Sequence, residues 1–201
     1  MVLLKNKVVA DTSFFCCYAY NLKRSDWLLH YLDLYEFHYG PNIKRELSSL
    51  HDHKDLIYDK LVYENHDYNE LFKALSDRDD KHIEEDGEYD AIGIAITLSL
   101  TNSLKYLVLD DKGPKNFAKF QIAALFKELD GKICGTVGFI NNSHCTDALI
   151  QRDHCVEILK TIYQTHCEYE MRGDPKRPCS MDSRFVKNEL IPLISKLEEK
   201  L

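Results

Sequence analysis

"VVADTSFF", residues 8–15, places an acid directly after a short apolar run. The apolar and β-branched residues of segment 7–10 predict a short buried strand. Thr12 or Ser13 is the predicted N-cap of the helix that follows. Asp11 therefore lies at the carboxyl end of the first strand, where a core strand by itself gives no reason for a charge.

The same order of strand and acid returns at "KYLVLDD", residues 105–111. This is the clearest strand pattern in the chain, apolar from Tyr106 to Leu109 and ending in Asp110 and Asp111. Strands that alternate with helices indicate βαβ units and a mostly parallel sheet covered on both faces, hence an α/β protein. In such sheets ligands bind at the carboxyl ends of the strands, where these acids fall.

Helical patterns fill most of the chain between and after these strands. The segment 91–100 is apolar nearly all round, as in a buried helix. A last strand and turn is predicted at 132–140. The other predicted helices are Asp26–Tyr35, a helix from Asn42, a polar helical stretch from His51 to Leu75, residues 115–129, and long helices to the C-terminus.

The composition fits a globular protein with a substantial core, since 44% of its 201 residues are hydrophobic and 29% are charged. The net charge of −7 argues against coating of nucleic acid by charge alone. The longest near-apolar stretch, 91–100, is too short to span a bilayer, and the first residues lack the order of a signal peptide. We therefore expect a cytoplasmic protein that does not enter membranes, with its seven cysteines mostly reduced.

Five acids deserve comparison: Asp11, Glu46, Asp90, Asp110 and Asp111. Taken singly, each has a structural explanation, as a helix N-cap, a turn residue or a solvated surface residue. Taken together, they lie at strand ends and at the start of a buried helix, so we expect them to meet at one edge of the sheet. Close carboxylates repel each other, and a divalent cation removes that repulsion. Oxygen-only ligands favour Mg²⁺ or Mn²⁺, either of which can activate water on a phosphodiester.

Several motifs, in this order, resemble those of the PIN-domain ribonucleases. "VVADTSFF" is similar to that family's first strand and first acid, and "PNIKREL" (41–47) is similar to the helix with its second acid. "DGEYDAIGIAI" (86–96) resembles the Gly-Glu-x-Glu/Asp-Ala-Ile-x-x-Ala signature. "YLVLDDKGPK" (106–115) resembles the strand that ends in Asp-Asp, and "GTVG" (135–138) resembles the turn of one PIN subgroup.

The resemblance implies a three-layer α/β/α sandwich and Mg²⁺- or Mn²⁺-dependent cleavage of RNA. It makes Asp11, Glu46, Asp90 and Asp111 the metal-site acids, with Thr12 or Ser13 beside the first of them. Asp110 is the alternative to Asp111, and the spacing from the strand favours Asp111.

The resemblance covers roughly residues 5–140. It predicts a PIN-like domain at 1–142 and a helical C-terminal extension at 143–201, packed on or near that domain. Pro114 and Lys115 stand where the subgroup has Ala-Arg, a departure that bears on the choice of substrate more than on the chemistry.

Basic and metal-ligating side chains outside the acids carry weaker signals. Lys112, Lys115 and Lys119 follow the Asp pair and either hold substrate phosphates or are simply solvated. Adjacent His–Cys pairs invite a zinc interpretation, but their spacing fits no compact finger, and Cys155 falls on an apolar helix face. These pairs lie at 144–145, 154–155 and 166–167.

The leading hypothesis is a metal-dependent endoribonuclease, either the toxin of a toxin–antitoxin pair with an antitoxin partner or a standalone RNA-processing or defence nuclease. A PIN-like module that binds RNA or protein without activity is the alternative, and a zinc-stabilised interaction protein is the third hypothesis. The apolar face of the C-terminal helices (Phe185, Val186, Leu190, Ile191, Ile194 and Leu197) serves a homodimer or covers the core.

Overall fold

A computed structural model of the protein describes most of the chain. The described residues are 5–48, 57–66, 68, 70, 72, 87–174, 179 and 181–199. Within these residues, the helices are all too short or too polar to cross a membrane.

A five-stranded, all-parallel sheet lies at the centre of the fold and confirms the predicted α/β class. The strand order is β3-β2-β1-β4-β5, so the two strands that precede the predicted acids, β1 and β4, are neighbours. In the register, Val8 pairs with Phe37 on one side and Tyr106 on the other. The strands are β1 (Lys7–Ala10), β2 (Glu36–Tyr39), β3 (Leu61–Tyr63), β4 (Leu104–Val108) and β5 (Ile133–Cys134).

Helices surround the sheet. Those before β4 are α1 (Thr12–Cys16, continued by a π-helical turn at Cys17–Asn21), α2 (Ser25–Leu34), α3 (Pro41–Leu47) and α4 (Gly87–Leu100). Those after it are α5 (Lys112–Gln121), α6 (Ala123–Phe126), α7 (Thr136–Cys145), α8 (Arg152–Arg172), α9 (Ser183–Phe185, continued by a π-helical turn at Val186–Leu190) and α10 (Ile191–Glu198).

The sheet packs against helix α4 and against an aromatic cluster. Helix α4 packs against β1, β2 and β4, and it is buried nearly all round, as its sequence predicts. An aromatic cluster joins the sheet to α1 and α7, where the Phe37 ring stacks on Phe14 and meets Phe139 edge-on. The Phe139 ring also contacts Tyr106 of β4 and Tyr31 of α2. This arrangement is consistent with a three-layer α/β/α fold.

Several predicted elements differ from the observed ones. The sequence pattern does not predict β2, and it places the β3 residues in a helical stretch from His51 to Leu75, much of which lies outside the described residues. β2 (EFHY) mixes polar and apolar residues and β3 has only three residues, so neither shows the apolar run of β1; β2 pairs with β1, and β3 pairs with β2. The turn expected at 135–138 is instead the start of α7. The helix predicted at 115–129 begins earlier, at Lys112, and is interrupted at Ile122.

The C-terminal helices share the core of the rest of the protein. Helix α8 packs against α7, and α10 packs against α8. Cys155, Leu159, Leu190 and Ile194 are buried in the same hydrophobic cluster as the strands, so part of the apolar face considered for a dimer covers the core. The domain boundary predicted at 142 falls inside α7.

Candidate functional site

Asp11 lies at the carboxyl end of β1, and its side chain is fully buried. It is the N-cap of α1, a position that the sequence analysis assigned to Thr12 or Ser13. Its Oδ1 accepts a hydrogen bond from Ser13 Oγ at 2.7 Å and another from the Phe14 N–H at 3.1 Å. Its Oδ2 faces β4 and accepts from the Asp110 N–H at 3.2 Å.

Asp110 follows β4, and its carboxylate is held by the start of α7. Its Oδ1 accepts from the Thr136 N–H at 2.8 Å, and its Oδ2 accepts from Thr136 Oγ1 at 2.6 Å. The backbone of Gly135 approaches so closely that a Cβ at this position would lie 2.7 Å from Asp110 Oδ1. The carboxylate therefore has a fixed orientation beside Asp11.

The two carboxylates raise the free energy of each other's charged forms. Burial, and then the charge of Asp110, raise the pKa of Asp11 from 3.8 to about 7, although hydrogen bonds from Ser13 and Phe14 oppose this shift. Burial also raises the pKa of Asp110, against the opposing effects of Thr136 and Lys115. The site thus holds two acids that are difficult to ionise together without a cation.

Asp111 lies outside this pair. Its side chain is exposed and caps α5, where its Oδ1 accepts from the Gly113 N–H at 2.7 Å. Spacing from the strand favoured Asp111 as the acid that faces the site, but the structure places Asp110 there.

Glu46 and Asp90 connect α3 with α4. The Glu46 carboxylate accepts hydrogen bonds from the Gly87 N–H, at 2.9 Å, and from the Thr12 hydroxyl. The buried Asp90 carboxylate accepts from the Asn42 N–H at 2.7 Å. Each helix thus supplies an acid that accepts from a backbone N–H in the first turn of the other helix. A carboxylate in this position satisfies a free N–H group and is stabilised by the helix dipole.

The acids occupy one region without forming a closed cluster. The Cys16 thiol lies near two of them, since burial, Glu46 and Asp11 together raise its pKa to about 11. Even so, among the residues that the structure describes, His, Cys, Asp and Glu side chains do not form a group of three or more positioned to hold a metal. The structure therefore brings Asp11 and Asp110 into direct contact and places Glu46 beside Thr12, the next residue after Asp11.

The histidines and cysteines considered for zinc have other contacts. His144 Nδ1 lies 3.0 Å from the Ile150 carbonyl oxygen, and the His154 ring meets the Trp27 ring edge-on. Cys155 is fully buried in the core, where its apolar helix face predicted it.

Two of the three predicted lysines border a cavity beside Asp110. Lys112 and Lys115 line this cavity together with Asp110, and Lys115 lowers the pKa of that acid. Lys119 is exposed in the last turn of α5. Thr136, which sequence reasoning did not select, binds both oxygens of Asp110. The sequence feature that could have indicated Thr136 is the Gly-Thr pair directly after β5. The end of β5 is a third strand end at the same edge of the sheet.

Comparisons with protein-family models, with curated proteins and with solved structures find no match for this chain. The fold and the site therefore define its class by themselves. It is an α/β protein with a five-stranded parallel sheet and two acids, the buried Asp11 and the partly buried Asp110, at the carboxyl ends of two neighbouring strands.

Proposed function

We propose that this protein is a metal-dependent endoribonuclease with a PIN-like fold. The observation that carries the proposal is the contact between the fully buried Asp11 and the partly buried Asp110, two acids with raised pKa values at the carboxyl edge of a parallel sheet. A purely structural pair would gain nothing from placing two like charges together. A site for a divalent cation explains why both are there.

The donor set fits Mg²⁺ or Mn²⁺. These ions take oxygen ligands, and Mg²⁺ is commonly bound through one or two carboxylates while keeping several waters and contacting substrate phosphates. Asp11 and Asp110 would hold the ion, and Glu46 and Asp90 would support it from the neighbouring helix ends. When bound, such an ion supplies an activated water and neutralises charge on a phosphodiester.

The remaining residues orient the acids and the substrate. Ser13 fixes the Asp11 carboxylate, and Thr136 fixes Asp110 through both of its oxygens. Lys112 and Lys115, on the first turn of α5, are positioned to contact RNA phosphates beside Asp110. These lysines offset the net negative charge of the protein locally.

Cleavage of a mixed RNA pool tests the proposal. Incubation with Mn²⁺ or Mg²⁺ is expected to cut RNA, and EDTA is expected to stop the cutting. Both Asp11→Asn and Asp110→Asn are expected to lower the rate by at least about 100-fold, since each removes a charge from the metal site. Asp111→Asn is the matched control, because asparagine caps a helix as well as aspartate does.

A second function competes with the first. The hydrogen bonds that Glu46 and Asp90 accept from backbone N–H groups explain these two acids structurally, which favours a PIN-like module that binds RNA or protein without cutting it. Metal-independent RNA binding by the native protein and by Asp110→Asn, with no cleavage by either, would place this function first.

A further inference from the structure

A cavity of about 480 Å³ lies beside Asp110, between the sheet edge and the C-terminal segment 181–199. One side is formed by the end of β4, the first turn of α5 and helix α7. The other side is formed by the C-terminal segment, which the PIN resemblance does not cover. The volume is in the range of small-molecule sites.

The walls of the cavity combine apolar and polar groups. Leu109 and Val137 lie on the sheet side, and Met181, Phe185 and Leu193 lie on the C-terminal side. Four polar side chains join Asp110 and Asp182 in the lining, namely Lys112, Lys115, Asn141 and Glu189. Mostly apolar walls with a few polar groups are typical of a small-molecule site.

The kinds of group in this lining suit the parts of a nucleotide. Lys112 and Lys115 lie on the first turn of α5, line the cavity together with Asp110, and suit a phosphate. Phe185 offers an aromatic ring to a base. Glu189 offers an acceptor, and a carboxylate pairs with the exocyclic amino group of a base such as cytosine.

We propose that this cavity binds one base of the RNA substrate, and that it favours a base with an exocyclic amino group over uracil. The base packs against Phe185, and its amino group donates to Glu189. Asn141 contacts a base carbonyl that cytosine and uracil share, so it contributes affinity without discrimination. The inference rests on the proposed nuclease function and adds a specificity site built by the C-terminal segment.

Cytidine and uridine provide the direct test, because cytosine carries an amino group at C4 where uracil carries a carbonyl, and its N3 is an acceptor where that of uracil is an N–H donor. Binding is measured by NMR titration in EDTA, so that neither a phosphate nor a metal contributes. Cytidine is expected to bind about fivefold more tightly than uridine. Phe185→Ala is expected to weaken both by about fivefold or more.

Glu189→Gln tests the preference for cytidine over uridine without disturbing the fold. Glu189 is exposed on the π-helical turn, and glutamine has the same size. This variant is expected to lose most of the preference for cytidine while still binding both nucleosides. Glu199→Gln makes the same charge change outside the cavity and is expected to bind like the native protein.

The outcomes distinguish this inference from the proposed function. Equal binding of cytidine and uridine, no binding of either, or an unchanged preference in Glu189→Gln would overturn the inference even if the protein cuts RNA. Preferential cytidine binding that needs Glu189, in a protein that leaves RNA intact, would support the cavity and overturn the nuclease.

Discussion

Asp110 and Asp111 are adjacent in the sequence, but their carboxylates have different surroundings. Asp110 is partly buried, its N–H donates to Asp11 and its carboxylate accepts from Thr136, whereas Asp111 is exposed and caps a helix. Burial raises the pKa of Asp110. Asp110→Asn and Asp111→Asn therefore form a matched pair of substitutions, one inside the proposed site and one outside it.

The raised pKa of Asp11 predicts that stability depends on pH in metal-free protein. Because this pKa rises from 3.8 to about 7 on folding, the folded state binds more protons than the unfolded state between these values. The free energy of unfolding should therefore fall as pH rises from about 4 to about 7, by at most about 4 kcal/mol. Urea unfolding in EDTA at pH 5 and pH 8 measures this change.

Asp110→Asn should reduce the fall in the free energy of unfolding with rising pH. It removes one of two like charges and keeps both contacts with Thr136. The asparagine oxygen can accept from the Thr136 N–H while its amide donates to Thr136 Oγ1. Asp111→Asn should retain the native pH dependence. Mn²⁺ at pH 8 should raise the urea midpoint of the native protein but not that of Asp110→Asn. Equal pH dependence in all three proteins would contradict the assignment.

At the scale of elements, the first turns of helices hold the acids of the site. The N-termini of α3 and α4 each receive a carboxylate from the other helix, and the N-terminus of α7 receives Asp110. Three glycines, Gly40, Gly87 and Gly135, leave room for these carboxylates, because a Cβ at each would lie within 3 Å of a carboxylate oxygen.

Gly135→Ala tests this packing. Its backbone lies at φ −87° and ψ 176°, which alanine adopts freely, so any cost comes from the contact with Asp110. We expect a loss of about 1–3 kcal/mol of stability together with loss of metal-dependent cleavage, because the Asp110 carboxylate must move. Chemical denaturation and the RNA assay measure the two effects.

Gly113→Ala is the control for this substitution. A Cβ there would lie 3.3 Å from Asp111 Oδ1, at an exposed position in α5. Alanine is favoured over glycine in helices, so stability should stay level or rise slightly. Normal cleavage by Gly135→Ala would argue against a role for the fixed orientation of Asp110.

At the scale of the whole molecule, one hydrophobic core joins the sheet to the C-terminal helices. Helix α8 contributes Leu159 and Ile162 to this core, and its His154 contacts Trp27 of α2. Residue 142, the predicted end of the PIN-like domain, lies within α7.

Leu159→Ala should therefore destabilise the whole protein rather than the C-terminal helices alone. We expect a loss of about 2–5 kcal/mol, as for other fully buried leucines. Trp27, the only tryptophan of the chain, reports on the N-terminal part through fluorescence, and circular dichroism reports on all helices. The two signals should change together in urea.

Met171→Ala is the control in the same helix, since that side chain is 80% exposed and should cost little. Separate transitions for fluorescence and circular dichroism in Leu159→Ala would instead support two units that unfold independently.

The sequence alone determined the α/β class, the strands β1 and β4, the buried helix α4 and the acids at the strand ends. These features depend on apolar runs and on the residues directly after them, which are local in the chain. It did not determine β2 and β3, because these short strands lack the apolar run of β1 and take their conformation from pairing with a neighbour.

Tertiary structure alone decided which of two adjacent acids enters the site. Successive residues at a strand end point in different directions, and only the approach of α7 and of Asp11 decides which direction is buried. It also decided that Glu46 and Asp90 accept hydrogen bonds from the ends of neighbouring helices. Contacts between segments far apart in the chain set these choices, so no pattern along the sequence records them.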